Sequence, residues 1–354
     1  MVPLARAEET RARVTTAAVV GIGAVAKQHL ACLGQLERAR TVGVCDISAA
    51  VAESAAERFG VAAHYTDHRA MLAELEPDVV HVTTPPGAHF EIAMDALAAG
   101  AHVIVEKPIV TRADELDELL DEAEQRELIA VENYNYVFNP QVRDMRRLIA
   151  SGELGRLAHL EIDLAVDILA EGSPFADRNR PHPALALPGG AVADFLPHLA
   201  SLAYFLVGPH GRVTTIWGGN EMRGLLEAER GTAAISFSAT SQPDGFWLRM
   251  HGSRMRVEAN LFEPRLTIER VRAAPGPLFP VLNGLSEMAA VGRAAATGLW
   301  GKLSGAPGAY AGLWELIART YEAIGSGGSP PVWPADIRAV NRLVADLTAG
   351  QQRS

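Results

Sequence analysis

Residues 102–110 read HVIVEKPIV, an apolar run that ends in a glutamate, a lysine and a proline. A buried strand followed by a turn accounts for the apolar run and for Pro108. It does not explain an ammonium group at Lys107. From these residues alone two interpretations are open: Lys107 is a solvated loop residue, or it belongs to a catalytic site where it stabilises negative charge.

A second candidate site is the loop Gly21, Ile22, Gly23, Ala24, Val25 and Ala26, which follows a strand-like run and has the pattern GxGxxA. Small residues permit a tight turn and let the backbone approach a pyrophosphate, which then lies at a helix N-terminus. Asp46 follows Ala26 by 20 residues, where an acid binds the ribose hydroxyls of adenosine. Taken singly, Asp46 is equally well a solvated acid at a strand end. Its carboxylate would repel a 2′-phosphate, so the pattern favours NAD, with NADP as the alternative.

The elements around these residues alternate between strand and helix up to about residue 135. Apolar runs predict strands at 14–20, 41–45, 79–83 and 102–105, and helical spacing predicts helices at 27–38, 49–59, 69–75 and 88–99. Gly60 and Gly100 fall where glycines end helices. This alternation predicts a doubly wound parallel sheet of the Rossmann type.

The second half changes to a period of two. In RLAHLEIDLAVDI (residues 156–168), apolar and acidic residues alternate, as in a sheet with one buried face. Further strands are predicted at 212–217, 232–240 and 247–251, the last in a hairpin with 255–259, and helices at 313–324 and 336–348. We therefore predict a disordered lead at 1–13, an NAD(P)-binding Rossmann domain at 14–135 and an α+β domain at 136–354. The mostly antiparallel sheet of the latter would bind substrate and mediate a homodimer or homotetramer.

The composition narrows the class of partner. The net charge of −10 argues against nucleic acid or an anionic membrane as the main partner. The N-terminal residues lack the apolar region of a secretory signal, and two cysteines cannot form a disulfide framework, so a cytoplasmic protein is expected. We expect no metal site. The low-charge segment 275–304 is predicted to be a buried helix or a subunit contact; contact with an apolar substrate or a membrane is the less favoured alternative.

Residues 78–110, DVVHVTTPPGAHFEIAMDALAAGAHVIVEKPIV, together with the GxGxxA loop, strongly resemble the Gfo/Idh/MocA family of nicotinamide-dependent oxidoreductases. The resemblance rests on a TPPxxH element and the EKP element, and extends in order and size over nearly the whole chain. It implies that Thr84, Pro85 and His89 contribute to the cofactor site. It also implies that Glu106 and Lys107 lie near the nicotinamide, with a cis peptide between Lys107 and Pro108.

The family pattern further implies an aspartate and a histidine after a glycine-rich turn, here Asp194 and His198. Residues four apart share a helix face, so both can contact one substrate, and a place in the first turns of a helix disfavours the imidazolium. The alternative is that Asp194 caps the helix and His198 is an ordinary polar residue. If Asp194 caps the helix, Pro197 lies in the first turn and disturbs no hydrogen bond of the helix. If the helix begins earlier, Pro197 is expected to kink it.

A segment that faces the active site in the family corresponds to NYNYVFNP (residues 133–140). Many members carry arginine where this chain has Val137, so Asn135 and Tyr136 become the candidates for substrate binding. Further candidates for binding hydroxyl groups are Asp163, Asp167, Arg178, Asn179 and His182, each of which is as readily a solvated residue.

The resemblance implies interconversion of a secondary alcohol and a ketone on a sugar, cyclitol or sugar derivative. In this hypothesis NAD accepts the hydride, His198 with Asp194 moves the proton, and Lys107 stabilises the reacting oxygen. Two alternatives remain: an enzyme that uses tightly bound NAD for transient oxidation, as in epimerisation or glycoside cleavage, and a dinucleotide-sensing regulatory protein without turnover.

Overall fold

The structure is a computed structural model that describes residues 14–168, 190–263, 265–271, 279–304 and 308–349. Residues 1–13, where the disordered lead was predicted, lie outside the described residues. The chain divides into two compact units. The first unit comprises Met1–Glu132 and Ile317–Trp333, and the second comprises Asn133–Leu316 and Pro334–Ser354.

The first unit is built on a parallel sheet with the strand order β3-β2-β1-β4-β5-β6. Its strands are β1 (Thr15–Val20), β2 (Ala39–Cys45), β3 (Ala63–Tyr65), β4 (Val79–Val82), β5 (His102–Val105) and β6 (Ala130–Glu132). The helices between them are α1 (Ala26–Leu33), α2 (Ala49–Phe59), α3 (His68–Leu75), α4 (His89–Ala98) and α5 (Ala113–Gln125). The order reverses between β1 and β4, which is the point where such sheets bind ligands at the carboxyl ends of their strands.

The doubly wound sheet predicted from the sequence is confirmed. Val79, Val80 and Val82 have no exposed surface, as expected for strands covered on both faces. Gly60 ends α2 with a φ of 66°, and Gly100 has a φ of 85° after α4. Strands β3 and β6 were not predicted from the sequence, because they have three residues each, too few to produce a recognisable period.

The second unit contains a mostly antiparallel sheet, also as predicted, with the order β13-β12-β11-β7-β10-β9-β8. Its strands are β7 (Leu157–Ala165), β8 (His210–Gly218), β9 (Glu221–Ala228), β10 (Gly231–Ser238), β11 (Gly245–Gly252), β12 (Met255–Asn260) and β13 (Arg265–Arg270). Within this second sheet, only the β7–β10 pair is parallel among the described strands. The predicted β11–β12 hairpin and the alternation along β7 are confirmed, since Leu160, Ile162 and Leu164 are buried while Asp163 is exposed.

The remaining described α-helices are α6 (Pro140–Ala150), α7 (Gly190–Val207), α8 (Phe279–Ser304), α9 (Ala311–Ser326) and α10 (Pro334–Thr348), and α9 continues into the first unit from Ile317. By length and composition α7 is apolar enough to cross a membrane, with a mean hydropathy of 1.4, but 72% of it is buried within the protein. An internal helix that packs against a sheet has the same properties.

For segment 275–304 a buried helix or a subunit contact was predicted, and helix α8 differs from the first of these, while the subunit contact stays a prediction. Most of its described side chains are exposed, including Leu299 at 64%, Trp300 at 72% and Leu303 at 74%. The prediction that this helix is buried within its own chain is therefore wrong. The homodimer or homotetramer predicted from the sequence stays a prediction.

Candidate active site

The loop after β1 lies against the loop after β4. Gly21 has a φ of 86°, and a Cβ atom at this position would lie 2.7 Å from both the backbone nitrogen and the Cα of Thr84. The hydroxyl of Thr83 reaches the carbonyl oxygens of Val20 (3.0 Å) and Gly21 (2.6 Å). Glycine is therefore required at position 21 by both its backbone conformation and the close approach of Thr84.

The next residues leave room for a phosphate. A Cβ atom on Gly23 would have nothing within 4 Å, and Gly23 and Ala24 are exposed. Helix α1 begins after Val25 with no side-chain cap and no acidic residue in its first turn, so its N–H groups can bind an anion. Close by in the β4 loop, Thr84 Oγ1 is buried without a hydrogen-bond partner among the described residues. These features fit a bound dinucleotide, with Gly21–Ala26 around its pyrophosphate.

Asp46 supports the same loop. Its carboxylate accepts hydrogen bonds from the backbone N–H groups of Ile22 (2.8 Å) and Ser48 (2.9 Å). An ionised carboxylate has about four acceptor positions, so the partly exposed Asp46 can also accept hydrogen bonds from ribose hydroxyls. The following residue, Ile47, is 96% exposed.

His89 connects the β4 loop to the EKP element. Its Nε2 lies 2.7 Å from the carbonyl oxygen of Thr84, and its Nδ1 lies 2.8 Å from that of Pro108. Burial lowers the pKa of His89, although both carbonyl contacts and Glu106 act in the opposite direction. The exposed Pro85 precedes a 3-10 turn at Pro86–Ala88 that leads into α4. His89 thus links the loop after β4 to the EKP element, and its role at the cofactor stays a prediction.

Glu106 and Lys107 directly follow β5. The backbone N–H of Glu106 bonds to the carbonyl oxygen of Val82 in β4 (2.9 Å), which continues the sheet beyond the end of the strand. The Lys107–Pro108 peptide is cis, as the resemblance implied. The side chain of Lys107 is partly exposed. Lys107 therefore lies at the carboxyl edge of the first sheet, where open α/β sheets bind ligands.

Two buried histidines beside this edge were not predicted from the sequence. His29 on α1 and His81 on β4 have no exposed surface, and His29 Nε2 lies 3.0 Å from Glu106 Oε1. A histidine in the otherwise apolar strand VVHV was the available signal, because a fully buried strand rarely includes a polar side chain without a partner.

In the second unit, Tyr136 and His198 are in contact. The two rings meet edge-to-face with their centroids 4.8 Å apart, and Tyr136 also contacts Phe246 at 4.9 Å. Desolvation raises the pKa of Tyr136, so its hydroxyl stays protonated. Asn135 Oδ1 is buried without a hydrogen-bond partner among the described residues. Val137, at the position of the family arginine, is fully buried, and the polar neighbours are the better candidates for binding substrate.

Asp194 and His198 lie one turn apart on α7. Because the helix begins at Gly190, Asp194 lies inside it, and the alternative in which Asp194 caps the helix is wrong. Pro197 is also within the helix; it cannot donate a hydrogen bond to the preceding turn. His198 is 8% exposed. Since His198 lies beyond the first turns, the field of the helix N-terminus affects it less than was predicted from the sequence.

The remaining candidates are less informative. Arg178, Asn179 and His182, and the glycine-rich turn up to Gly189, lie outside the described residues. Asp163 is on the exposed face of β7, and the backbone N–H of Asp167 bonds to Asp244 Oδ1 (2.9 Å). The structure therefore groups the candidates within each unit: the cofactor loops and Lys107 in the first, and Asn135, Tyr136, Asp194 and His198 in the second.

Comparison with known proteins agrees with this division. A family model described as an oxidoreductase family with an NAD-binding Rossmann fold matches residues 15–134, and the GFO/IDH/MocA C-terminal domain matches residues 142–258. The D-xylose 1-dehydrogenase (NADP(+)) 2 of Haloferax volcanii is 30% identical over 63% of this chain and 68% of its own length. A dTDP-3,4-didehydro-2,6-dideoxy-alpha-D-glucose 3-reductase of Streptomyces violaceoruber is 30% identical over 68% of each protein.

Among solved structures, the WlbA dehydrogenase from Bordetella pertussis, in complex with NADH and UDP-GlcNAcA, is similar with a TM-score of 0.76, 18% identity and 96% coverage of both chains. At that identity the similarity shows the fold alone. Across four of the curated relatives that it matches, the chain covers between 40% and 68% of the relative's length. With both domain models matched in order, the chain belongs to the Gfo/Idh/MocA oxidoreductase family.

Proposed function

We propose that the chain is an NAD-dependent dehydrogenase that interconverts a secondary alcohol and a ketone on a sugar, a cyclitol or a sugar derivative. The observation that carries the proposal is the position of Lys107, directly after β5, in a segment that His89 links to the loop after β4. Thr83 links the same β4 loop to the loop after β1. An ammonium group at this edge of the sheet can stabilise an oxyanion. The names of the sugar dehydrogenase and the sugar reductase among the relatives support the same class of substrate.

In the proposed mechanism, a bound nicotinamide supplies the hydride acceptor. His198 takes the proton of the substrate hydroxyl as general base, and Asp194 orients the imidazole or binds a neighbouring hydroxyl. Lys107 donates a hydrogen bond to the reacting oxygen and stabilises the negative charge that develops there. Asn135 and Tyr136 bind other hydroxyl groups of the substrate. In the opposite direction the same groups reduce a ketone.

Asp46 supports NAD rather than NADP as the cofactor. Its carboxylate is fixed by the N–H groups of Ile22 and Ser48, so it would remain close to a 2′-phosphate and repel it. The Haloferax relative is named for NADP(+), which makes the direct comparison of the two cofactors necessary. Asp46→Ala should narrow the difference between the dissociation constants for NAD and NADP.

The test is a panel of sugars, sugar acids, cyclitols and nucleotide sugars with each cofactor, in which the absorbance of the reduced cofactor is followed. We expect net NADH formation with at least one polyol. Lys107→Met should lower kcat by a factor of about 10² to 10³ and His198→Asn by a factor of about 10² to 10⁴, while NAD binding is retained. His159→Asn, a histidine on β7 of the second unit, is the matched control and should leave kcat unchanged.

The outcomes separate the alternatives. Product formation without net NADH would indicate transient oxidation by tightly bound NAD. If Lys107→Met binds NAD and retains full function, the chain is a dinucleotide sensor and the proposed mechanism is wrong. The absence of turnover with every polyol and both cofactors would overturn the dehydrogenase itself.

A nucleotide-linked keto sugar is the second candidate substrate. The Streptomyces relative is named as a reductase of a dTDP-linked sugar. In that case NADH supplied with a nucleotide-linked keto sugar should be consumed faster than NADH is formed from NAD with any free sugar.

A further inference from the structure

Four buried polar side chains form a continuous chain through the first unit, and the mechanism proposed above does not use it. Tyr321 on α9 has its Oη 2.9 Å from Nε2 of His81 on β4. Nδ1 of His81 lies 2.8 Å from Nδ1 of His29 on α1, and Nε2 of His29 lies 3.0 Å from Oε1 of Glu106. Both histidines are fully buried, while Tyr321 and Glu106 are 8% and 9% exposed.

The direction of these hydrogen bonds follows from the tyrosine end. Among the described residues, His81 Nε2 is the hydrogen-bond partner of the Tyr321 hydroxyl. A buried hydroxyl that does not donate its hydrogen has given up its hydrogen bond to water without a replacement, which costs free energy. Tyr321 therefore donates to His81, and Nε2 of His81 carries no proton.

The direction of the hydrogen bond from Tyr321 to His81 determines the directions of the next two hydrogen bonds. Burial and the neighbouring His29 lower the pKa of His81 well below its usual value, so the ring is neutral and has one N–H group. That proton lies on Nδ1 and is donated to Nδ1 of His29, because two protons cannot occupy the 2.8 Å between these atoms. His29 then carries its own proton on Nε2 and donates it to Glu106 Oε1, which accepts.

We propose that His29 and His81 are positioning residues that hold the Glu106 carboxylate, ionised and in one orientation, at the nicotinamide end of the cofactor site. This inference rests on the proposed function in that it assumes a bound NAD. Asp46 after β2 would take the ribose of adenosine and Gly21–Ala26 the pyrophosphate. Residues at the ends of β4 and β5, which are neighbours in the sheet, would hold the nicotinamide half, and Glu106 directly follows β5.

A fixed carboxylate at this place has a measurable consequence. The nicotinamide ring carries a positive charge in NAD⁺ and none in NADH. An anion held close to the ring therefore favours binding of the oxidised form, and the effect is large where the surroundings exclude water. The chain of hydrogen bonds thereby sets the ratio of the dissociation constants for NAD⁺ and NADH.

The direction of the chain can be tested on the unmodified protein without substrate or cofactor. In protein labelled with ¹⁵N-histidine, long-range ¹H–¹⁵N correlation spectra distinguish the tautomers of the 11 histidines. We expect His81 as the Nδ1–H tautomer and His29 as the Nε2–H tautomer, assigned by substitution. His64→Asn, which removes an exposed histidine on β3, is the control for assignment. An Nε2–H tautomer or an imidazolium at His81 would overturn the inference.

The effect on the cofactor is tested by titrating NAD⁺ and NADH into variants and following protein or NADH fluorescence. Glu106→Gln should shift the ratio of the two dissociation constants towards NADH by a factor of about 3 to 10. His81→Leu should shift it in the same direction by a smaller factor. His81→Asn should restore most of the wild-type ratio, because the asparagine amide can donate to His29 from the position of Nδ1.

The outcomes distinguish this inference from the proposed function. If neither cofactor binds the wild-type protein, the proposed function is wrong. If both cofactors bind and Glu106→Gln shifts the ratio while a folded His81→Leu does not, the histidines have only a structural role. If His81→Leu does not fold, an Nε2–H tautomer or an imidazolium at His81 in the wild-type protein, or an unchanged ratio in Glu106→Gln, would still overturn the inference.

Discussion

The two glycines of the first loop differ in what surrounds them. Gly21 has a positive φ and lies against the backbone of Thr84, whereas Gly23 has open space where a side chain would project. At the scale of single residues, one glycine is therefore required by the fold, and the other is required only if a ligand approaches the loop closely.

We expect Gly21→Ala to lower the free energy of unfolding by about 2 kcal/mol or more, because alanine is strained at this φ and its methyl group meets Thr84. Gly23→Ala should change it by less than about 0.5 kcal/mol but weaken NAD binding at least tenfold, because its methyl group occupies the approach of the pyrophosphate. Thermal unfolding and NAD titration of both variants check this. Equal NAD affinity of Gly23→Ala and the wild type would contradict the proposed cofactor site.

At the scale of elements, the start of α9 packs tightly against the segment that includes the predicted substrate residues. A Cβ atom on Gly312 would lie 2.9 Å from the backbone nitrogen of Asn139 and closer still to the carbonyl oxygen of Asn135. Both are backbone atoms that cannot move away independently. The position of Asn135 and Tyr136 therefore depends on a helix that is far away in the sequence.

Gly312→Ala should destabilise the second unit by about 1–3 kcal/mol through overpacking, and should raise KM for the substrate because Asn135 and Tyr136 are displaced. Gly284→Ala on the exposed α8 is the matched control. There an added methyl group meets nothing within 4 Å, and alanine should stabilise the helix by up to about 1 kcal/mol. Differential scanning calorimetry measures both effects. A Gly312→Ala protein as stable as the wild type would contradict this prediction and show that the segment with Asn135 and Asn139 moves to make room for the methyl group.

At the scale of the whole molecule, three histidines of the first unit have a lowered pKa and therefore make the stability depend on pH. Burial lowers the pKa of His81, His89 and His102. His102 Nδ1 accepts a hydrogen bond from the backbone N–H of Ile129 (2.9 Å), and protonation at Nδ1 would remove that acceptor. In the unfolded chain these histidines titrate near pH 6.5. The native protein therefore has its full stability, with respect to these three groups, above about pH 6.5. The free energy of unfolding decreases as the pH falls below that value towards the lowered pKa values.

We therefore expect the unfolding temperature to fall between pH 7.5 and pH 5, with each histidine contributing at most about 1.4 kcal/mol per pH unit. His102→Asn should reduce this dependence, because the asparagine oxygen can accept from Ile129 and does not titrate. The exposed His64→Asn should leave it unchanged. Unfolding temperatures that are constant over this range in the wild-type protein would contradict the lowered pKa values of these histidines.

Much of the architecture could be predicted because the signals are local. Strand β5 and helix α2 have the predicted bounds, since an apolar run and a glycine in the left-handed conformation mark their ends. The alternation along β7 predicted its buried face. Helix α8 was predicted less well, because its apolar composition resembles that of a buried helix. Composition alone does not say whether the rest of the chain covers such a helix.

The sequence by itself determined the two kinds of sheet, the loop from Gly21 to Ala26 and the position of Lys107 after an apolar strand, because periodicity and turn chemistry act over a few residues. Only the tertiary structure showed the chain from Tyr321 through His81 and His29 to Glu106. His81 and Tyr321 are 240 residues apart in the sequence, and no local pattern encodes a contact over that distance. The association of Ile317–Trp333 with the first unit, on which that contact depends, arises only when the folded elements pack.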